Sequence, residues 1–349
     1  MTAGEARAAA RDWVLYRGTS LPGYAGAYFA GSAIELADGD ALPPTSDLDL
    51  MLAFDGPAPP KPGKFSHLGA TLDVGTIHAA ALLPAERALA VHYTAYALHK
   101  DTVLDDPGGW LTPLQRAVAA RYADEAWVRA RVEAVLASIR GGIAGWRSGA
   151  PIQDQAICWA FSTGRTAHVA LAAALENCTV RTRYEKARVA LDRLGLGASY
   201  PTLLDLLGGQ AMDDRGLARH LDELARTFDL AAALDASGFP FAGDVAVAAR
   251  PAAIGEADRT LRGPWPREAI FWMAVTFARC HQVLADRAPA LHAERLPALL
   301  RFLEALGIGR PQDVGRRLRS LEAALPEVAR VADAAIAAHP GIRRGRHPL

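Results

Sequence analysis

The chain has 349 residues, enough for about two domains with sizeable cores. Its 38 basic and 38 acidic residues cancel, which argues against a generic nucleic-acid or membrane-surface binder and favours a small or locally recognised substrate. No apolar run approaches the ~20 residues of a membrane span, the Ala- and Arg-rich start lacks the apolar centre of a signal peptide, and Cys158, Cys178 and Cys280 have neither zinc nor disulfide-framework spacing; a soluble cytoplasmic protein with reduced thiols is the expectation.

In chain order, Glu5 to Tyr16 reads as a short helix and Gly26 to Ala30 as a first strand ending at Gly31-Ser32. Ala33 to Thr45 carries Glu35, Asp38 and Asp40, no Arg or Lys, and the turn signals Asp38-Gly39-Asp40 and Pro43-Pro44, so it is predicted to be an acidic loop. Asp47 to Phe54 reads as a strand, and Asp55 to Gly63, with four prolines and two glycines, as irregular. Phe65 to Leu68 and Thr71 to Ile77 flank Gly69-Ala70 as a hairpin. An Ala-rich helix is predicted from Pro84 to about His99, then a short strand at Thr102-Val103-Leu104 and a turn at Asp106 to Gly109.

From Thr112 the composition changes and the apolar spacing is helical almost throughout: about 112–139, 151–177, 180–194, 199–208, 213–235, 265–287, 290–306, 311–323 and 325–338. The fold class expected is therefore an α/β domain with a small mixed sheet and flanking helices over residues 1–110, followed by an all-α domain over residues 111–349.

Chemistry concentrates in the first part. In a strand from Ser46 to Phe54, Asp47 and Asp49 point one way while Leu48 and Leu50 point into the core. Asp73, between Leu72 and Val74, can lie beside them if its strand pairs with theirs. An Asp-x-Asp alone is ordinarily a solvated strand or turn; three clustered carboxylates repel unless a positive charge sits among them, and the natural occupant is a divalent metal. Oxygen-only ligands suit Mg²⁺, or Mn²⁺ in its place, and point to phosphoryl or nucleotidyl chemistry in which two ions clamp the attacking and leaving oxygens. Gly31 permits close backbone approach to phosphate, and the Ser32 hydroxyl and nearby N–H groups can hold it.

Tyr28-Phe29-Ala30-Gly31-Ser32, Asp47-Leu48-Asp49-Leu50 and Leu72-Asp73-Val74, in that order, resemble the DNA polymerase β-like nucleotidyltransferase superfamily, in particular its aminoglycoside and lincosamide nucleotidyltransferase branch. The resemblance covers about the first 110 residues, and kanamycin-type enzymes are similar in architecture. It implies a nucleotidyltransferase that moves a nucleoside monophosphate, most simply AMP from ATP, from a nucleoside triphosphate to a hydroxyl of a small polar acceptor and releases pyrophosphate. Asp47, Asp49 and Asp73 would be the catalytic metal ligands, and Gly31 and Ser32 nucleotide-binding. The family often carries a basic residue in the loop after Gly-Ser, which is absent here. Adenylylation of a protein partner and non-catalytic nucleotide binding are the alternatives; neither nucleic acid nor membrane is an expected partner.

Within the helical part, Arg181, Arg183, Lys186 and Arg188 form a basic cluster, either a solvated face or a cationic clamp for the triphosphate, with Arg183 and Lys186 as the nucleotide-binding candidates. His168, on the apolar stripe of its helix, reads as a core histidine, and Asp154 as a carboxylate favoured by a helix N-terminus. Trp265, Phe271, Trp272 and Phe277 read mostly as core, with one face able to stack on a ring.

Overall fold

A computed structural model describes residues 1–345. The first helix, α1 (Ala3–Tyr16), starts at a capping box: Thr2 Oγ1 accepts from Glu5 N, and Glu5 Oε2 accepts from Thr2 N at 2.7 Å. Its Ala6, Ala10 and Val14 recur at helical spacing and are fully buried against a five-stranded mixed sheet.

The strands are β1 (Tyr24–Ala30), β2 (Leu48–Phe54), β3 (Gly63–His67), β4 (Ala70–His78) and β5 (Val103–Asp105), in the spatial order β3-β4-β2-β1-β5. Only β2 and β4 run parallel. Strand alternation divides their side chains cleanly. Leu48, Leu50 and Leu52 of β2 and Ala70, Leu72 and Val74 of β4 are buried in one cluster with α1. Tyr28 and Met51 belong to the other face, where they pack with Leu82, Leu89, Leu98, Leu111 and Val118. β3 and β4 form a hairpin, but its turn is Leu68-Gly69 rather than the expected Gly69-Ala70, because Ala70 is already paired with His67; both turn residues are at positive φ, the condition for a two-residue turn matching strand twist.

The Pro84–His99 region is two helices, α2 (Ala85–Ala90) and α3 (His92–Leu98), because Val91 is extended. The interruption lets Leu89 and Leu98 both reach the same core, and no glycine marks it in the sequence. Asp106 then starts α4 (Leu111–Arg121): its carboxylate accepts from the N–H groups of Trp110, Leu111 and Thr112. Although burial raises its pKa, those three donors hold it below the usual carboxylate range.

The single helix expected over 112–139 is also divided, into α4 and α5 (Glu125–Gly145). A distant segment makes the break. Arg343 N donates to Ala123 O, Glu125 N donates to Arg343 O, and the Arg343 guanidinium pairs with Asp124. Conversely, the two helices expected over 311–338 are one, α13 (Pro311–Ala338), which carries Pro326 inside it. Between them lie α6 (Ile152–Ala173), α7 (Arg183–Arg193), α8 (Tyr200–Leu204), α9 (Asp214–Ala232), α10 (Glu256–Leu261), α11 (Ile270–Arg287) and α12 (Pro289–Ala305). No helix among the described residues is long and apolar enough to cross a membrane.

The chain forms two compact units. The first comprises residues 1–134 with 175–179 and the segment from Pro340; the second comprises 135–174 and 180–339. The first therefore contains the sheet, α4 and the start of α5, and recruits two short pieces from far along the chain.

Candidate active site

Asp49 of β2 pairs in register with Asp73 of β4, and Asp73 pairs in turn with Lys64 of β3. On the other side Asp49 faces Ala30 of β1. One rung of the sheet thus reads Lys64, Asp73, Asp49, Ala30, and directly opposed residues on neighbouring strands share a face. That face is the one carrying Met51 and Tyr28, opposite α1.

Asp47 immediately precedes β2 rather than lying within it. It is nonetheless drawn to the same place: Lys64 Nζ lies 2.5 Å from Asp47 Oδ2 and 3.7 Å from Asp73 Oδ2. The Lys64 and Asp47 side chains are each 4 % exposed, while Asp73 is 27 % exposed. The three carboxylates of the sequence motif are brought together, and with them comes a buried ammonium. This lysine was not among the expected site residues. The expected turn at Gly69-Ala70 would have put Ser66 opposite Asp73; the observed turn at Leu68-Gly69 pairs His67 with Ala70 and puts Lys64 there instead.

Gly31 closes the rung. At φ +68 it occupies the left-handed region, and a Cβ there would stand 1.7 Å from Asp49 Oδ2 and 2.4 Å from its Cγ. Only a glycine lets the backbone lie this close to the Asp49 carboxylate. The Gly31 carbonyl accepts from Asn177 Nδ2 at 2.9 Å, so a buried amide from the 175–179 segment fixes the turn. Ser32 follows in helical conformation and opens a single 3₁₀ turn, Ala33–Glu35, with its carbonyl accepting from Glu35 N.

The acidic loop is tied down rather than left to repel. Arg7 of α1 pairs with Asp38 and donates to the carbonyls of Ala33 and Leu36 at 2.8 and 2.7 Å. The backbone N–H groups of Ala3 and Gly4 donate to the Asp40 and Asp38 carbonyls, and Tyr96 Oη donates to Glu35. The acidic charge of the loop is thus met by a base from α1. A cavity of about 350 Å³ lies beside it, lined by Arg7, Arg11, Phe29, Ile34 and Thr102. Phe29 packs on the α1 face of the sheet, so this cavity is not the space in front of the rung.

Arg183 and Lys186 belong to the second unit, at the start of α7. Arg183 is not on a solvated face: it is 1 % exposed, its guanidinium lies 3.7 Å from the ring centroid of Phe271, and its Nε donates to Val180 O. It is a packing residue of that unit's interior. Lys186 is half-buried. Arg188 stacks over Tyr200 and Trp265 and pairs with the buried Glu268 at 2.6 Å. His168 is buried on α6, and Asp154 accepts from Gln282 at 2.7 Å, both in agreement with structural roles.

The donor chemistry of the rung suits a hard cation. Mg²⁺ keeps several waters and needs only one or two carboxylates alongside substrate phosphates, which Asp49 and Asp73 as register neighbours provide. A ready three-carboxylate cage is another matter: among the described residues no group of three or more His, Cys, Asp or Glu side chains is arranged to hold a metal. Asp47 is engaged by Lys64 instead. No protein-family model matches the chain, and neither a curated protein nor a solved structure matches it significantly.

Proposed function

We propose that the first unit is a nucleotidyltransferase that transfers a nucleoside monophosphate, most simply AMP from ATP, to a hydroxyl of a small polar molecule. The observation that carries this reading is the rung Asp49–Asp73, with the Gly31 backbone seated against the Asp49 carboxylate and Asp47 and Lys64 beside it. A solvated strand needs none of this convergence, and a purely structural ion pair does not need a glycine whose backbone lies this close to a carboxylate.

In this mechanism Asp49 and Asp73 would hold Mg²⁺ or Mn²⁺, and Asp47 would complete the set once Lys64 released it. The ion, when bound with the triphosphate, neutralises phosphate charge and lowers the pKa of the acceptor hydroxyl. The turn at Gly31-Ser32 binds phosphate oxygens through backbone N–H groups and the Ser32 hydroxyl. The acceptor oxygen forms a bond to the α-phosphorus as the bond to the bridging oxygen of pyrophosphate breaks; its proton goes to Asp73. Holding the two reactants in line supplies much of the rate.

The test is pyrophosphate release from each of the four nucleoside triphosphates with Mg²⁺ or Mn²⁺, across aminoglycosides, lincosamides and other polyols. Asp49→Asn is expected to lower turnover on the order of 10³-fold or more while leaving the circular dichroism spectrum unchanged. Turnover by Asp49→Asn within tenfold of the parent protein would remove the rung from the chemistry.

A further inference from the structure

Lys64 is buried among carboxylates that a divalent ion would otherwise be needed to neutralise. Its ammonium bridges Asp47, at 2.5 Å, and Asp73, at 3.7 Å, and the Lys64 and Asp47 side chains are both 4 % exposed. A cation so placed lowers the attraction of the same oxygens for a second cation, because the two charges repel across a few ångströms of protein with little screening. The ammonium supplies positive charge between Asp47 and Asp73, and among the described residues no group of three or more His, Cys, Asp or Glu side chains is arranged to hold a metal. Phosphate oxygens are the other strong acceptors to which an ammonium donates, and Lys64 stands on the rung that ends at Ala30, next to Gly31-Ser32.

Resting on the nucleotidyltransferase reading, we propose that Lys64 is the site's resident counter-cation: it withholds Asp47 and Asp73 from free divalent ions and turns to the triphosphate when metal and triphosphate arrive together. Metal binding and triphosphate binding are then coupled through one side chain. Neither alone should occupy the site well.

Mn²⁺ retained by the full chain in equilibrium dialysis, with and without inorganic tripolyphosphate and against a protein-free tripolyphosphate control on both sides of the membrane, tests this without recourse to turnover. The wild-type protein is expected to bind Mn²⁺ weakly alone and at least tenfold more tightly with tripolyphosphate. Lys64→Met, which keeps the aliphatic stem, is expected to bind Mn²⁺ alone about tenfold or more tightly than wild type and to lose the gain from tripolyphosphate. Lys64→Arg should behave as wild type. If Lys64→Met does not fold, the pair-neutral Asp47→Asn/Lys64→Met protein carries the comparison, and it must show at least tenfold less enhancement by tripolyphosphate than wild type. Equal Mn²⁺ affinity and equal enhancement in wild type and the Lys64 variants would overturn the proposal while leaving the nucleotidyltransferase reading in place. Absence of Mn²⁺ binding to every protein, with tripolyphosphate present, would overturn both.

Discussion

At the scale of single residues, the site is held by close approach rather than by long side chains. Gly31 has no room for a Cβ: the nearest Asp49 atom would be 1.7 Å away, and the backbone is already at positive φ. Gly31→Ala must therefore push Asp49 aside and adopt a conformation that L-residues rarely accept. A stability loss of about 2–4 kcal/mol is expected, read by urea denaturation, since left-handed strain and overpacking each cost on the order of 1–3 kcal/mol. Ser32→Ala, one residue on, meets neither obstacle and should lose less than about 1 kcal/mol. Equal stability of Gly31→Ala and the parent protein would mean that the turn and β2 are not packed as described. The same contact explains a feature of the sequence: Gly31 and Asp49 are eighteen positions apart by number, but antiparallel pairing of Ala30 with Asp49 makes them neighbours.

At the scale of elements, α11 and α12 carry a titration that should be visible in stability. His281 of α11 is fully buried, with Nδ1 3.1 Å from His292 Nδ1 of α12. Burial, reinforced by His292 and Arg295, pushes its pKa down to about 3 from an ordinary 6.5. The unfolded chain then binds the proton more readily than the folded one over the window from about 6.5 to about 3. Stability is full above that window and falls as the pH drops into it. Between pH 7 and pH 5 the loss from this group alone is about 2 kcal/mol. His281→Leu is expected to flatten that part of the profile in pH-dependent chemical denaturation, whatever it does to stability at pH 7. A wild-type profile that is already flat from pH 7 to pH 5 would show that His281 charges without unfolding. That His281 faces another histidine was not legible in the sequence, because the partner comes from a different helix. The elements follow the same rule. Helix α1, a hairpin between β3 and β4 and the two strands of the Asp49–Asp73 rung were legible from local composition, turn residues and period-two alternation, but the Thr2 cap of α1 and the turn at Leu68-Gly69 were not. The breaks at Val91 and at Tyr122–Asp124 were not, since no glycine or proline marks them and packing or a distant stretch of chain imposes them. The break expected near 324 is absent, and α13 runs through it with Pro326 inside the helix.

At the scale of the whole molecule, the first unit is not a contiguous stretch, and its dependence on two distant segments can be measured. Asn177 fixes the Gly31 carbonyl, and Arg343 fastens the α4–α5 junction, where its guanidinium meets Asp124 at 2.7 Å. The Asp124 side chain is 10 % exposed and that of Arg343 is 41 % exposed, so the pair is partly screened by solvent. Arg343→Ala leaves a mostly buried carboxylate without this partner and is expected to cost about 1–2 kcal/mol. Where that cost falls distinguishes two kinds of molecule. If the two units open separately, native-state hydrogen exchange of the slowest amides in β1, β2 and β4 should accelerate by about five- to thirtyfold in Arg343→Ala, with the amides of α11 unchanged. Equal acceleration in both units would instead mean that the chain opens as one cooperative body. In that case the residues of the rung and those of the helical unit share a single stability, and a substitution anywhere in the helices would weaken the site by mass action on the folded state. The separate case is the one expected, because Arg343 bonds to Ala120, Ala123, Asp124 and Glu125, all of which lie inside the first unit.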